Sequence, residues 1–314
     1  MTSEAVTRAL PEAVVRVANA PLSYGAFELT VGTSFAVPEP EQVLEAIAGA
    51  GYAGTDLGPP GYLGEGDLLR ERLAANDLEV VGGFVPMRFS EAERFSEDTA
   101  ALQHTLDLFD AAGATGARPV LCDAGGPERI ANPGRGGEDS SLHLSGARRR
   151  VLAANVERAA EAARGRGYEP VFHHHTSTYV EGLPEIERLL EETDVPLLLD
   201  SGHLAVAGGD PVAALRDWSE RVGAVHVKDV RLGVLEAVKA ERADSLTAWR
   251  RGLFCALGEG DVDLDGFCTL LAERGYDGWV VVEQDRVLED SAAFTGACVD
   301  QERNREWLRV HAAW

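Results

Sequence analysis

Four groups able to bind a cation stand at the ends of four short apolar runs in the second half of this 314-residue chain. Val171-Phe172 leads into His173-His174-His175, and Leu197-Leu198-Leu199 into Asp200. Ala224-Val225 leads into His226-Val227-Lys228, and Val280-Val281-Val282 into Glu283. Runs that are apolar on both faces read as buried parallel strands. Parallel α/β folds gather their chemistry at the carboxyl ends of such strands. Two imidazoles and two carboxylates delivered in this way form a mixed nitrogen and oxygen donor set for one divalent cation. Side chains alternate along a strand, so His173 and His175 share a face and His174 points the other way. His226 and Lys228 likewise share a face, with Asp229 opposite, and Glu283 is matched with Asp285. Asp200 after three leucines is costly to bury unless paired or cation-bound; the plainer reading is a helix cap. His203 falls in the turn that follows, where it supports the site.

The elements that must position these groups follow from the patterning. Candidate strands are 15–20, 54–57, 79–85, 118–122, 169–173, 196–200, 223–227 and 278–283. Amphipathic stretches lie between them at 41–50, 68–76, 99–112, 148–166, 183–192, 211–221 and 264–274. Gly51, Gly167 and Gly275, each followed by tyrosine, supply left-handed helix stops. Asp210 before Pro211, and Asp263, supply helix starts. Eight strands alternating with helices predict a (β/α)8 TIM barrel filling 1–314 as one domain. A doubly wound sheet is the alternative, but no GxGxxG or GxxxxGK[ST] loop follows the first strand. Two stretches break the rhythm, near 124–145 and 231–259, and are expected to cover the barrel mouth. A final helix over 292–311 carries Phe294, Val299, Trp307 and Leu308, and is expected against the barrel base or a second subunit.

Composition narrows the partners. Lys and Arg total 29 against 52 Asp and Glu, a formal charge of -23. Such a surface repels nucleic acid and anionic membranes and favours a neutral or metal-bound small substrate. No apolar run is long enough to span a bilayer. Residues 1–12 are polar and lack the apolar stretch of a secretory signal. The four cysteines are scattered without a CxxC pair, which predicts a reduced, cytoplasmic protein.

Longer motifs carry a family resemblance. Residues 173–181 (His-His-His-Thr-Ser-Thr-Tyr-Val-Glu) resemble the HPHxGTxVE segment of inosose dehydratases, and 198–208 resemble LLDTGHxxxAG. Residues 225–230 are similar to HxHLKDV, 254–263 to FCPLGEGDVD and 275–286 to GYDGWxVVEQDR. The likeness is dense over 168–309 and thinner at 20–25, 55–63 and 81–86. The wider superfamily is the xylose-isomerase-like barrel of sugar epimerases, isomerases and dehydratases. It implies a divalent ion, Mn²⁺ or Co²⁺ first, with Mg²⁺ or Zn²⁺ as alternatives, held at the ends of strands five to eight. By resemblance Asp200, His226 and Glu283 take the last three ligand places. His173, with His175 as the alternative, stands where the family commonly has a glutamate. Tyr24 replaces a tryptophan after the first strand, and Asp56 a glutamate after the second.

These substitutions shape the expected chemistry. Family epimerases use two glutamates as an acid/base pair, whereas only Glu283 remains here, so the resemblance implies a carbon–oxygen lyase. It would dehydrate a keto-cyclitol such as inosose (2-keto-myo-inositol) through an enediolate to a 1,2-dione, a step of inositol breakdown. The expected roles are Glu283 as base, His175 or His203 as acid and Lys228 at the developing oxyanion. Tyr24, Asp56 and Arg286 would orient hydroxyls. A keto-sugar or inosose isomerase or epimerase, and a 3-oxo-glycoside lyase, are alternatives on the same site. Abasic-site endonucleases share this barrel but need a three-zinc cluster and a basic face, against which 8 histidines and a charge of -23 weigh. A non-catalytic metal- or sugar-binding barrel is the reading from another class. The superfamily also implies a homodimer.

Overall fold

The structure, a computed structural model, describes residues 15–314. Residues 1–12, read above for a leader, lie outside the described residues. Eight parallel strands close into a barrel: β1 (Arg16–Asn19), β2 (Gly54–Asp56), β3 (Glu79–Met87), β4 (Arg118–Asp123), β5 (Val171–His173), β6 (Leu197–Asp200), β7 (Val222–Val227) and β8 (Trp279–Val282). β1 pairs with both β2 and β8, so no strand edge is left open. A helix packs outside the barrel after each strand: α1 (Pro40–Gly49), α2 (Gly66–Ala75), α3 (Phe95–Ala112), α4 (Gly146–Arg164), α5 (Leu183–Glu192), α6 (Pro211–Asp217), α7 (Leu264–Glu273) and α8 (Ala293–His311).

Strand parity decides which side chains reach the centre. Phe172, Leu197, Leu199, Val225, Val280 and Val282 join the main apolar core between the barrel and its helices. Their alternates face the lumen, where Ala18, Ala20, Val81 and Val281 form one small cluster and Val120, Val171 and Leu198 another. Two residues further along the lumen face of β5, β6 and β8 stand His173, Asp200 and Glu283, and on β7 His226 follows Ala224. Glycine makes room where the lumen is crowded. A Cβ on Gly82 would lie 2.9 Å from Asp56 Oδ2.

Helix boundaries follow local chemistry. Gly51, Gly167 and Gly275 take positive φ values of 87°, 88° and 68° at the stops read above. Asp210 caps α6 through Val212 N and Ala213 N, and Asp263 caps α7 through Gly266 N.

Several boundaries differ from the sequence reading. The stretch 211–221 is helical only to Asp217 and ends in a single 3-10 turn, Ser219–Arg221. β5 begins at Val171 because Pro170 cannot donate to the ladder. A short helix, Ser201–Val206, follows β6 directly, where a turn was expected. Within 231–259 the helices run Leu232–Glu241 and Ser245–Arg250, and a two-residue antiparallel ribbon, Asp229–Val230 with Phe254–Cys255, ties off the excursion. The final helix lies along the barrel flank, its later half meeting the amino end of β2, where Arg305 Nε donates to Gly51 O at 3.0 Å and Tyr52 Oη to Gln301 O at 3.0 Å. Buried Gln301 and Asn304 of α8 reach the carboxyl end of β1, where Gln301 Oε1 accepts from Asn19 Nδ2 at 2.9 Å, while Val299 faces outward.

The four cysteines form no disulfide, and among the described residues no helix is long and apolar enough to cross a membrane. The outer core therefore carries the stability. Phe109 of α3 is fully buried, its ring 5.3 Å from that of Tyr168. Phe109→Ala should cost about 3–5 kcal/mol, read as a lower urea midpoint at unchanged slope.

Candidate metal centre and substrate pocket

Four side chains from four adjacent strands converge at the carboxyl face. One donor atom each from His173, Asp200, His226 and Glu283 lies within 4.8 Å of all the others, and all four residues are buried. His226 Nδ1 is 3.0 Å from Glu283 Oε2 and 3.7 Å from Asp200 Oδ2, and His173 Nε2 is 3.8 Å from the same Asp200 oxygen. Asp200 divides its two oxygens between two tasks. Oδ1 accepts from His203 N at 2.8 Å and caps the helix Ser201–Val206, while the buried Oδ2 makes no hydrogen bond. A buried carboxylate oxygen without a hydrogen-bond donor is costly on its own and suits a cation as its partner. The donor set, two imidazoles and two carboxylates, fits a divalent ion.

Lys228 balances this charge from beneath. Its ammonium lies 2.6 Å from Asp285 Oδ2, 3.1 Å from Glu283 Oε2 and 3.5 Å from Asp200 Oδ2, with the whole side chain buried. Nζ also lies 3.0 Å from His203 Nε2. If Nε2 accepts there, Nδ1 carries the proton and donates to Thr176 Oγ1 at 2.8 Å. The close approach needs Gly202, since a Cβ there would lie 2.7 Å from Lys228 Cγ. Next along the chain, Asp229 turns outward and accepts from the backbone of Val230, Gly258, Gly260 and Val262, which fixes the loop entering α7.

Charge states follow from these contacts. Burial alone would raise Glu283, but His226 and Lys228 outweigh it and hold the carboxyl at about 2. Burial would likewise lower His226, but Glu283 and Asp200 push it up to about 9. Asp200 is held well below the usual carboxylate range against its burial, chiefly by Lys228. His173 and His203 are kept neutral, first by burial.

Above the donors a cavity opens, lined by His173, His175, His226, Glu283 and Asp285 on its floor. Three further carboxyls line it: Glu28, Asp56 and Asp123. No Lys or Arg does so among the described residues. Burial and Glu283 push Asp56 up to about 6. Glu28 keeps an exposed outer edge, yet the protein around it and the carboxylates of Asp56, Glu283 and Asp285 push it up to about 7. Burial also raises Asp123 to about 6, although it accepts from Tyr179 N and Gly125 N.

The structure therefore brings His173, His175, Asp200, His226, Glu283 and Asp56 to one site. Three other expectations require correction. Lys228 does not line the cavity, because its ammonium is engaged by three carboxylates, so it is not placed to hold a substrate oxygen. His203 is sealed beneath His175, the ring centroids 3.8 Å apart, and bonds Lys228 and Thr176. Tyr24 and Arg286 do not line the cavity. Tyr24 is fully buried in the outer core beside Phe294, and Arg286 pairs with Asp300 of α8. The residues that sequence reading missed are Glu28, Asp123, Phe27 and Trp249. Asp123 had a signal, since it ends the apolar run Val120-Leu121-Cys122 as Asp200 ends its own. Phe27, Glu28 and Trp249 had none, because the first two come from the loop after β1 and Trp249 from a short helix in the excursion between β7 and α7.

This geometry defines a (β/α)8 barrel with a candidate cation centre at the face where such barrels hold their active sites. Residues 44–307 match the family described as Xylose isomerase-like TIM barrel, and the chain belongs to it. The inosose dehydratase of Geobacillus kaustophilus is 33% identical over 256 residues, covering 78% of this chain and 80% of the relative. The rhizopine catabolism protein MocC of Rhizobium meliloti is 35% identical over 251 residues, covering 78% and 74%. A solved structure described as the IOLI protein with a binding zinc atom superposes with a TM-score of 0.67 at 13% identity, covering 95% of this chain and 98% of that one.

Two outcomes follow. Lys228→Met leaves buried carboxylates uncompensated and should cost about 3–5 kcal/mol in chelator, measured by urea unfolding, with added divalent ion recovering much of the loss. A ligating imidazole must be neutral, so cation binding should release a proton from His226. Affinity should then rise up to about tenfold per pH unit and level off near pH 9, with proton release read by calorimetry in buffers of different ionisation enthalpy.

Proposed function

We propose that this protein is a metal-dependent carbon–oxygen lyase that dehydrates a keto-cyclitol of the inosose type to a 1,2-dione. The observation that carries the reading is the convergence of His173, Asp200, His226 and Glu283 beneath a cavity rich in carboxyls and without a cation of its own. The relatives named inosose dehydratase support the substrate class. His173, Asp200, His226 and Glu283 would hold the divalent ion, which when bound supplies Lewis-acid polarisation of a keto oxygen.

The remaining steps fall to the chain's own groups. Glu283, held ionised by its neighbours, suits a donor and is a weak base. Proton removal is therefore reassigned to His175. Its Nδ1 lies 2.8 Å from the carbonyl oxygen of Thr176 and donates to it, which leaves Nε2 with a free lone pair. Burial keeps the ring neutral. His175 takes the proton from the carbon beside the ketone. The electron pair left there forms a carbon–carbon double bond as the β-hydroxyl departs. Asp56, with Glu28 beside it in the lining, holds a proton near neutrality and delivers it to that hydroxyl, which leaves as water. The enol that remains ketonises to the dione. The carboxyl-rich lining repels phosphorylated and carboxylated substrates, which suits a neutral polyol.

Incubation of the cation-loaded protein with a ketocyclitol in D₂O tests this reading. The expected result is dione absorbance, with solvent deuterium in the product. Deuterium exchange into the ketone without water loss would instead favour the isomerase or epimerase reading. His175→Asn should lower kcat by about 10²–10⁴-fold with little change in cation affinity, whereas Glu283→Gln should lower both. Because Asp56 must stay protonated, kcat/KM should fall as the pH rises above about 6.

A further inference from the structure

The cavity has two chemically different walls. Its floor is the ring of imidazoles and carboxyls, while its outer wall is apolar: Leu22, Phe27, Leu29, Pro59, Ile130 and Trp249. These six come from the loops after β1, β2 and β4 and from the excursion between β7 and α7. Leu29 and Ile130 are each 47% exposed, two of only a few large hydrophobic residues so open among the described residues, and both border this one cavity. Phe27 and Trp249 meet edge to face at 6.2 Å behind them. The wall is fixed to the floor. Ser245 Oγ, at the start of the helix that carries Trp249, donates to Ile130 O at 2.8 Å and meets Ser177 Oγ at 2.5 Å.

An unsubstituted polyol offers such a wall only the C–H edges of its ring. A hydroxyl pressed against leucine, isoleucine and proline loses water and gains no partner, which is unfavourable. A hydrocarbon group placed there removes apolar surface from water on both sides.

We infer that the substrate is a neutral keto-polyol carrying an apolar substituent, an ether- or glycoside-linked hydrocarbon group, which lies against Leu22, Phe27, Leu29, Ile130 and Trp249 while the keto-polyol ring faces the imidazole and carboxyl floor. This deepens the reaction proposed above and rests on it for the ring, but the substituent site stands on the outer wall alone.

The test compares a ketocyclitol with its O-methyl and O-benzyl ethers, using the cation-loaded protein. Burying the benzyl ring should raise kcat/KM at least about tenfold over the parent, with the methyl ether between. Leu29→Ser and Ile130→Ser, at half-exposed positions where substitution disturbs the fold little, should bring the ether-to-parent ratio back toward one. Calorimetric binding of the corresponding non-reactive cyclitol and its benzyl ether provides a readout independent of turnover. Turnover of the parent with equal or slower turnover of the ethers would overturn the inference and leave the reaction standing. Tighter binding of the benzyl ether without turnover of any compound would keep the substituent site and sink the reaction. Equal binding of both cyclitols without turnover would sink the two together.

Discussion

The ammonium of Lys228 sits among Asp200, Glu283 and Asp285 in a space closed to bulk water, and the site is organised around that contact. Buried carboxylates this close repel one another and would take up protons unless a positive charge stood among them. Lys228 supplies it without occupying the space between the donors of His173, Asp200, His226 and Glu283. Much nearby structure serves to seat this one side chain. Gly202 lacks a Cβ so that the lysine stem can pass, and Ser201 Oγ bridges the backbone N–H and carbonyl of Lys228. His203 meets the ammonium from one side, and the Phe254 ring lies 4.9 Å from it.

Barrel closure extends the same logic to the whole carboxyl face. Because each strand is paired on both sides, its register is fixed, and a slip of one residue would exchange lumen and outer face. Asp200 pairs in register with His226, and Val281, two residues before Glu283, with the same histidine. The loops are then held to this frame by buried charge. Fully buried Arg129 pairs with Glu185 at 2.5 Å, and Glu181 accepts from Ser177 N, Gly134 N and Gly136 N. The segment after β4 is thereby bound to the segment after β5. Ser177, at a left-handed φ of 70°, lines the cavity and touches the excursion after β7 through Ser245. Strain at a non-glycine residue is kept only where the surroundings hold it, and here two loops do so.

The electrostatics of the cavity bear on its chemistry more directly than its shape. Its acids are driven apart: His226 and Lys228 hold Glu283 down at about 2, while burial, and then Glu283, lifts Asp56 to about 6. One stays ionised and fit to hold a cation, and the other can hold a proton near neutrality. Environments that separate like groups in this way mark acid and base assignments. Asp56 owes its shift partly to the like charge of Glu283, so a cation held by Glu283 would draw Asp56 back down, and the two sites are coupled through that charge.

Much of this was legible in the sequence. Apolar runs ending in His173, Asp200, His226 and Glu283 carry both periodicity and chemistry, and strand parity alone places His173 and His175 on one face. Helix stops at Gly51, Gly167 and Gly275 were equally readable, because a left-handed cap is a local property of glycine. Tyr24 and Arg286 illustrate the limit: both stand just past strand ends, yet side-chain direction in an irregular loop is set by what packs against it. The duty of Lys228 was misread for the same reason, since a strand pattern shows that the side chain points inward but not how many carboxylates meet it there. Local sequence thus determined which groups reach the carboxyl ends of the strands. Tertiary structure alone decided their charge states, the burial of Lys228 and the apolar outer wall, because each arises from side chains brought together across the barrel from segments far apart in the chain.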